Sequence, residues 1–190
     1  GAQLCHRLDK ETSGVMVIAR HPDAYRHMSM KLEARKVEKI YHALVDGLHD
    51  FRHKTIDLPL TVSGSGAVRI DRKEGKQAIT VVNTLHAYRK HSLVSCRLIT
   101  GRMHQIRVHL STLDAPVTGD ALYGGQPFYL SAIKRGYQTG RGREEKPLIQ
   151  RVALHARSIR FEFPDGQMHT FEAPYPKDFA ALLNQLDKNT

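Results

Sequence analysis

The chain has 190 residues, of which 41% are hydrophobic, so it can bury one sizeable core and is expected to form a single domain over residues 1–190. Its 2 cysteines are too few for a disulfide framework, no apolar run nears the roughly 18 residues of a membrane span, and no secretory signal pattern opens the chain, so we expect a cytoplasmic protein. The formal net charge of +10 is typical of nucleic-acid-binding proteins, although many basic proteins bind none.

The first segment with a chemical signature is HRLDKETSG at residues 6–14. It places Asp9 between two cations, Arg7 and Lys10. Nearby positive charge favours the ionised form of a carboxylate, and an ionised carboxylate on a turn can act as a nucleophile or a base. The alternative is that Asp9 accepts hydrogen bonds from local backbone N–H groups and only shapes the turn.

The apolar residues 15–19 predict a strand. A helix is expected over about residues 23–35, with a proline at its start, where proline is favoured. The next strand is predicted over residues 39–45. Because side chains alternate along a strand, Tyr41 is expected on the same face as Lys39. Further strands are predicted over residues 67–71, 77–86 and 93–100.

The segment GRMHQIRVHL at residues 101–110 opens a predicted amphipathic helix that continues to about residue 113. Its apolar side chains recur at helical spacing and form a stripe: Met103, Ile106, Leu110 and Leu113. Arg107 lies at the margin of this stripe. If it reaches inward it needs an anion, and arginine pairs with a carboxylate through two parallel hydrogen bonds, so Asp9 is a candidate partner. The alternative is a solvated position on the outer face of the helix.

The last third of the chain predicts a hairpin that pairs residues 159–163 with 168–172, and a helix over residues 178–186. The helix is expected to bury its apolar side chains: Phe179, Leu182, Leu183 and Leu186. Before them, the glycine-rich basic segment 136–143 is either an RNA-contacting flap or a solvated insertion. Strands dominate and most connections are short, so the expected fold class is α+β with a mostly antiparallel sheet.

Five segments together resemble the RluA-type RNA pseudouridine synthases. They occur in the family's order and rough spacing: HRLDKETSG, KIYHALVDG, GRMHQIRVHL, GDALYGG and LHARSIRFEF. One of them alone would be a weak signal, but five in order along nearly the whole chain are specific. The resemblance implies a long mixed, mostly antiparallel sheet, flanked by helices, with an active cleft along its middle. It also implies that the chain is a catalytic domain lacking a first strand with an Asn-Lys-Pro motif and the separate N-terminal RNA-binding domain that many relatives carry.

The resemblance further implies that a uridine within RNA becomes pseudouridine. The N1–C1′ bond breaks, the base turns and C5 bonds to C1′, which requires no cofactor and no metal. By position in the motifs, Asp9 corresponds to the catalytic aspartate, which either attacks C1′ or abstracts the C2′ proton. Tyr41 corresponds to the tyrosine that packs on the target base and can help exchange its C5 proton. Arg107 corresponds to the arginine that pairs with the aspartate, and Arg7 to the residue that enters the RNA stack as the uridine leaves.

The expected partner is RNA, with ribosomal RNA favoured over transfer RNA, and the expected protein is a monomer. Further candidate RNA contacts lie in the same motifs: His6, Lys39, Arg102 and His104. Affinity should be mostly electrostatic, and the target uridine must leave its stack before it can react. Two alternatives remain open at this level. Tyr41 could be a core aromatic residue of its strand, and Arg7 could contact only backbone phosphate.

Two rival function classes are weighed against this hypothesis. The first is a non-catalytic RNA-binding or ribosome-assembly module on the same fold. The joint presence of Asp9, Tyr41 and Arg107 argues against it, because a module that only binds RNA needs no carboxylate in a basic groove. The second is a metal-dependent hydrolase. His104 and His109 are five positions apart, so they do not point the same way on a helix, and the segment lacks the HExxH pattern. No metal site is expected.

Overall fold

The computed structural model describes residues 1–139 and 144–189. The strands and helices of this part follow in the order β1 (Gln3–Leu4), β2 (Ser13–Gly14), β3 (Ile18–Ala19), α1 (Pro22–Glu33), β4 (Glu38–Asp46), β5 (Lys54–Asp57), β6 (Leu60–Val62), β7 (Val68–Ile70), β8 (Ile79–Ala87), β9 (His91–Leu98), α2 (Gln105–Ser111), β10 (Leu154–Glu162), β11 (Met168–Glu172) and α3 (Lys177–Lys188). Two short 3-10 turns, Ala121–Tyr123 and Leu130–Ala132, lie between α2 and β10. Within the described ranges, no helix is both long enough and apolar enough to cross a membrane.

A seven-stranded sheet organises the molecule. Its main strands lie in the order β11-β10-β4-β9-β8-β5, and each neighbouring pair is antiparallel. Strand β2 adds a parallel pairing to β10, which makes the sheet mixed. The predicted α+β class, with a mixed and mostly antiparallel sheet, is therefore confirmed.

The main apolar core joins this sheet to two helices. Leu44 of β4 belongs to one buried cluster with Ile106 and Leu110 of α2 and with the inner side of α3. The buried residues of α3 are the four predicted from its helical spacing: Phe179, Leu182, Leu183 and Leu186. Helix α1 packs in a second cluster, where its buried Met28 joins residues of β10. Burial of each large apolar side chain contributes about 1.5–3 kcal/mol, so these contacts hold α2 and the strands around it in a fixed arrangement.

The strand predicted over residues 15–19 is shorter than expected. Only Ile18–Ala19 pairs as a strand, because the chain first runs along β10, where the Val15 N–H donates to the Ala156 carbonyl at 3.0 Å. Gly14 allows this close approach, since its φ is +128° and a Cβ there would lie 2.2 Å from the Ala156 oxygen. The segment that carries Asp9 is thereby attached to the central sheet.

Other element boundaries also differ from the prediction. The sequence predicts that the strand of the last hairpin begins at residue 159, whereas β10 begins at Leu154. A bulge between Ala156 and Ser158 interrupts the alternation of side chains, so the sequence pattern does not indicate the first half of the strand. Strands β5 and β6 have no predicted counterpart, because Pro59 separates them and interrupts the strand pattern.

Residues 140–143 of the glycine-rich segment lie outside the described residues, so the hypothesis that this segment is an RNA-contacting flap stays a prediction.

Several histidines of this fold are buried in the neutral form. The Nε2 atoms of His109 and His155 each donate to a backbone carbonyl, at 2.9 and 3.1 Å, and the Tyr175 hydroxyl lies 2.5 Å from His42 Nδ1. Burial lowers the pKa of all three rings. The pKa of His42 falls to about 4, because burial is reinforced by the positive charge of Arg157 and, when both rings are protonated, by repulsion from His155.

We therefore expect the free energy of unfolding to decrease as the pH is lowered from about 6.5 to about 4. The pKa of His42 is lower in the folded than in the unfolded state, so within this window the unfolded chain binds more protons and stability rises with pH. His42 alone contributes at most about 1.4 kcal/mol per pH unit, reduced by its partial exposure. Urea unfolding at about pH 7 and about pH 5 measures the difference. His42→Asn should flatten this dependence and the exposed His53→Asn should preserve it, whereas equal stability at both pH values would contradict the expectation.

Candidate active site

A cleft of about 520 Å³ opens between residues 6–12, the end of α1, strand β4 and the turn that leads into α2. All eight candidate site residues from the sequence line this one cleft: His6, Arg7, Asp9, Lys39, Tyr41, Arg102, His104 and Arg107. Three separate stretches of sequence supply them. The sheet register brings these stretches together, because Tyr41 and Lys39 lie on one face of β4 and residues 13–14 pair with β10, the neighbour of β4.

Asp9 presents its carboxylate to the cleft. The turn that contains it closes through a backbone bond, in which the Thr12 N–H donates to the Asp9 carbonyl at 2.9 Å. The carboxylate therefore remains available, and the interpretation of Asp9 as only a turn-forming side chain is not supported. Its cationic neighbour is Arg107, the partner proposed from the α2 segment, and not a cation of its own segment. Arg7 and Lys10 form no ion pair with Asp9 in the described part of the chain, whereas Arg107 Nη1 lies 3.6 Å from Asp9 Oδ2.

Arg107 is held mainly by a residue that the sequence analysis did not identify. Its Nε and Nη2 donate to the two carboxylate oxygens of Asp120, at 2.6 and 2.8 Å, so the two-bond pairing proposed for Asp9 belongs to Asp120. Asp120 is 1% exposed and Arg107 is 8% exposed. Burial alone would lower the pKa of Arg107, but the hydrogen bonds and the charges of Asp120 and Asp9 raise it above its ordinary value. Asp120 lies in the GDALYGG segment, whose place among the five segments is the signal that could have indicated it.

A second missed residue, Tyr123, closes the far side of this ion pair. The Arg107 guanidinium lies 5.0 Å from the centre of the Tyr123 ring. The Tyr123 hydroxyl accepts the Val68 N–H at 3.0 Å and lies 2.7 Å from His104 Nδ1. The hydroxyl can still donate its proton to Nδ1 or accept a second hydrogen bond from it, so this contact joins His104 to the Tyr123 side of the ion pair. Burial, followed by the charge of Arg107, lowers the pKa of His104, so the ring is neutral at neutral pH.

Helix α2 begins later than the sequence predicts. The helix is expected from residue 101, but it begins at Gln105, because His104 adopts a left-handed conformation with φ 52°. The buried Gln105 amide stabilises the turn before the helix. Its carbonyl accepts the Thr100 hydroxyl at 2.8 Å and the Arg102 N–H at 3.0 Å, and its NH₂ donates to the Ile79 carbonyl at 2.9 Å. This network fixes the turn on the cleft side and places Arg107 in the first turn of α2.

The floor of the cleft is formed by Tyr41 and Lys39. Tyr41 is 8% exposed, and burial, reinforced by the negative charge of Asp9, raises its pKa to about 12. The phenol therefore keeps its proton at neutral pH. Burial lowers the pKa of Lys39 and the pKa of His6. Repulsion from the positive charge of Lys39 lowers the pKa of His6 further. His6 Nε2 accepts the Val17 N–H at 3.0 Å, so His6 helps to hold the segment around Asp9.

Within residues 1–139 and 144–189, no three His, Cys, Asp or Glu side chains are grouped as ligands for a metal ion. The groups of the cleft that could take part in a reaction are the carboxylate of Asp9, the phenol of Tyr41 and several cations. A partly exposed carboxylate beside a protonated phenol, in a cleft lined with positive charge, suits a reaction on a polyanionic substrate.

Residues 1–112 match the family described as RNA pseudouridylate synthase, which is more than half of the 190 residues. The chain belongs to this family. The predicted resemblance to the RluA-type synthases, drawn from five sequence segments, is thereby confirmed.

Curated relatives within the pseudouridylate synthase family carry the name "Ribosomal large subunit pseudouridine synthase D". The relative from Neisseria meningitidis serogroup A is 37% identical over 189 residues, covering 97% of this chain and 48% of the relative. The relative from Pseudomonas aeruginosa is 36% identical over 187 residues, covering 97% of this chain and 57% of the relative. The chain thus spans about half the length of these curated relatives.

The fold is also similar to that of solved pseudouridylate synthase structures. "Human RNA Pseudouridylate Synthase Domain Containing 4" superposes with a TM-score of 0.76 at 28% identity, covering 98% of this chain and 76% of that chain. "Human RNA Pseudouridylate Synthase Domain Containing 1" superposes with a TM-score of 0.69 at 28% identity, covering 93% and 70%. The predicted pseudouridine synthase fold is confirmed.

Proposed function

We propose that this pseudouridylate synthase family member isomerises a uridine in RNA to pseudouridine. The observation that carries the proposal is the unequal sharing of Arg107 between two carboxylates. The buried Asp120 takes both short hydrogen bonds, whereas the partly exposed Asp9 has a single contact at 3.6 Å. A purely structural ion pair would leave no carboxylate facing the cleft. Here Arg107 orients Asp9 through one long contact to one of its oxygens. The other carboxylate oxygen is left free to act on a substrate.

The proposed reaction breaks the N1–C1′ bond of the uridine, turns the detached base and forms a C5–C1′ bond. N1 gains a proton and C5 loses one, so the product is an isomer and no atom is added. Asp9 acts on the sugar, either by attacking C1′ or by abstracting the C2′ proton. Both routes need an ionised carboxylate near the sugar, and both need the uridine to be extruded into the cleft.

Tyr41 is proposed to contact the extruded base and to assist the loss of its C5 proton. Because its pKa is raised to about 12, Tyr41 is a phenol rather than a phenolate. It can therefore accept the C5 proton only if it passes on its own hydroxyl proton in the same step. Asp9 is the negative charge that contributes to this raised pKa, which makes it the nearby candidate to receive that proton.

Tyr41→Phe tests this role with little change in packing. We expect turnover to fall by about 10²-fold or more, which is the contribution typical of general acid–base catalysis, with little change in KM because the ring face is retained. Single-turnover conversion of uridine at saturating RNA is the measurement. Tyr129→Phe, a half-buried tyrosine outside the cleft, is the control. Full activity of Tyr41→Phe would leave Tyr41 with a packing role only.

We propose ribosomal RNA of the large subunit as the substrate class, because the named relatives in Neisseria meningitidis and Pseudomonas aeruginosa act on that subunit by name. We further propose that the protein acts in the cytoplasm as a monomer, without a cofactor and without a metal ion. The cleft is proposed to bind the RNA. The proposed contacts are cations and neutral donors of the cleft: Arg7, His6, Lys39, Arg102 and His104. Among them, the exposed Arg7 is proposed to enter the stack that the uridine leaves.

The substrate is tested by incubating large-subunit ribosomal RNA and transfer RNA side by side with the protein and analysing the nucleosides by chromatography. We expect pseudouridine in the ribosomal RNA and none with Asp9→Asn. Pseudouridine only in transfer RNA would overturn the substrate proposal and preserve the reaction. Tight RNA binding without pseudouridine in either RNA would instead support a binding module.

A further inference from the structure

The cleft contains cations that no carboxylate neutralises. In the described part of the chain, Arg7, Arg35, Lys39 and Arg102 line the cleft without a carboxylate in ion-pair range. Glu33 also lines the cleft but pairs with none of them. Some arginines elsewhere pair with an aspartate or glutamate, namely Arg26, Arg52, Arg151 and Arg157, whereas others, such as Arg20 and Arg72, do not in the described residues. The cleft therefore holds at least four uncompensated cations at the place where a substrate would bind.

Two of these cations are held by a neutral residue, Gln77. Arg35 Nη2 donates to Gln77 Oε1 at 2.9 Å, and Arg102 Nε donates to the Gln77 backbone carbonyl at 3.1 Å. An aspartate in this position would cancel the charges, whereas an amide and a carbonyl fix both guanidinium groups and leave their charges free. Gln77 thus links the two arginines on one wall of the cleft.

The backbone turns that carry these arginines are also fixed. Arg35 lies in the left-handed region with φ 56°, in the tight turn between α1 and β4. Arg102 lies in the turn before α2, where its own N–H donates to the buried Gln105 at 3.0 Å. The side chains of both arginines therefore extend from backbone positions with little freedom. Less conformational entropy is lost when they bind an anion than if the backbone were flexible.

Lys39 adds a third cation at the floor. Its side chain is half-buried, and its ammonium lies so close to Gly101 that a Cβ there would come within 2.9 Å of Nζ. A desolvated ammonium is costly without an anionic partner. The cationic surface continues beyond the cleft, because Arg35 also lines a second hollow of about 280 Å³ together with Lys36, Arg97 and Arg160. This continuity favours a ligand with several phosphates over a single free anion.

We infer that Arg35, Arg102 and Lys39 form a phosphate clamp for the backbone of the RNA strand that enters the cleft, and that Gln77 is the positioning residue of this clamp. The inference rests on the proposed function and names the part of the substrate that this wall contacts. Guanidinium groups suit the purpose because their N–H donors match phosphate oxygens. Asp9 and Tyr41 would then face the sugar and base of the nucleotide whose neighbouring phosphates are held.

The test is the salt dependence of RNA affinity, measured by fluorescence anisotropy with a labelled single-stranded oligouridylate. Arg35→Gln/Arg102→Gln should reduce the slope of log Kd against log salt by about 1.4, which is about 0.7 for each lost phosphate contact. Affinity at low salt should fall about tenfold for each arginine. The matched control is Arg26→Gln/Arg52→Gln, which removes the same charge from two exposed arginines outside the cleft. Equal slope changes in the two double variants, or none in either, would overturn the clamp.

Gln77→Leu separates positioning from charge. It keeps all cations and removes the acceptor of Arg35, so we expect an intermediate loss of affinity with an unchanged melting temperature. Affinity equal to that of the parent would overturn the positioning role. None of these binding readouts depends on turnover. If the parent forms pseudouridine and the slopes stay unchanged, the clamp fails alone. If the slopes change as expected and no pseudouridine forms, the proposed reaction fails alone.

Discussion

Asp9→Asn is expected to reduce the rate of pseudouridine formation at least about a thousandfold, because the amide can neither attack C1′ nor abstract a C2′ proton. RNA affinity should stay equal or increase slightly, since the substitution removes a negative charge from a cleft that binds a polyanion. Single-turnover kinetics and a binding titration on the same RNA measure the two quantities separately.

Asp50→Asn provides the matched control for this substitution. It makes the same chemical change at an exposed carboxylate that pairs with the exposed Arg52, and exposed pairs of this kind contribute little. We expect parental turnover and affinity from it. Strong loss of RNA binding in Asp9→Asn would contradict the assignment, because it would make Asp9 part of the binding surface or of the fold.

Arg107→Ala is expected to lower the free energy of unfolding by roughly 3–5 kcal/mol and to abolish activity. The substitution leaves the carboxylate of Asp120 buried, at 1% exposure, without its two charged hydrogen bonds. It also releases Asp9 from its contact at 3.6 Å. Urea unfolding measures the first effect, and Arg26→Ala, which breaks an exposed pair with Asp23, should cost less than about 1 kcal/mol.

A double variant distinguishes the structural role of this pair from its role in the reaction. Arg107→Met/Asp120→Leu removes both buried charges, so much of the lost stability should return. Activity should not return, because Asp9 still lacks the cation that orients it. An unchanged unfolding midpoint in Arg107→Ala would contradict the pairing, and recovered activity in the double variant would contradict the orienting role of Arg107.

Elements with a complete periodic signal could be predicted from the sequence. Strand β11 has the predicted bounds, Met168–Glu172, and α3 buries the four side chains expected from its spacing. The eight candidate site residues, which come from three distant segments, all line one cleft. Motifs in a known order indicated this grouping, because their relative positions in space are a property of the shared fold.

Features that depend on tertiary contacts could not be predicted. The two short hydrogen bonds of Arg107 go to Asp120, while Asp9 keeps one contact at 3.6 Å, and this division depends on how the segment after α2 folds back onto the helix. The start of α2 depends on the left-handed conformation of His104, which the hydrogen bonds of Gln105 stabilise. At the start of α2, the hydrogen bond of Gln105 to the distant Ile79 carbonyl and its bonds within the turn outweigh the helical periodicity that the sequence displays.

The central claim is that Asp9 converts uridine to pseudouridine within RNA, and release of tritium from RNA labelled at uridine C5 tests it most directly. The C5 hydrogen must leave when C5 becomes the glycosidic carbon. We predict release by the parent from large-subunit ribosomal RNA, in proportion to the pseudouridine formed, and none by Asp9→Asn. Release by Asp9→Asn at the parental rate, or no release by a parent that binds the RNA, would contradict the account.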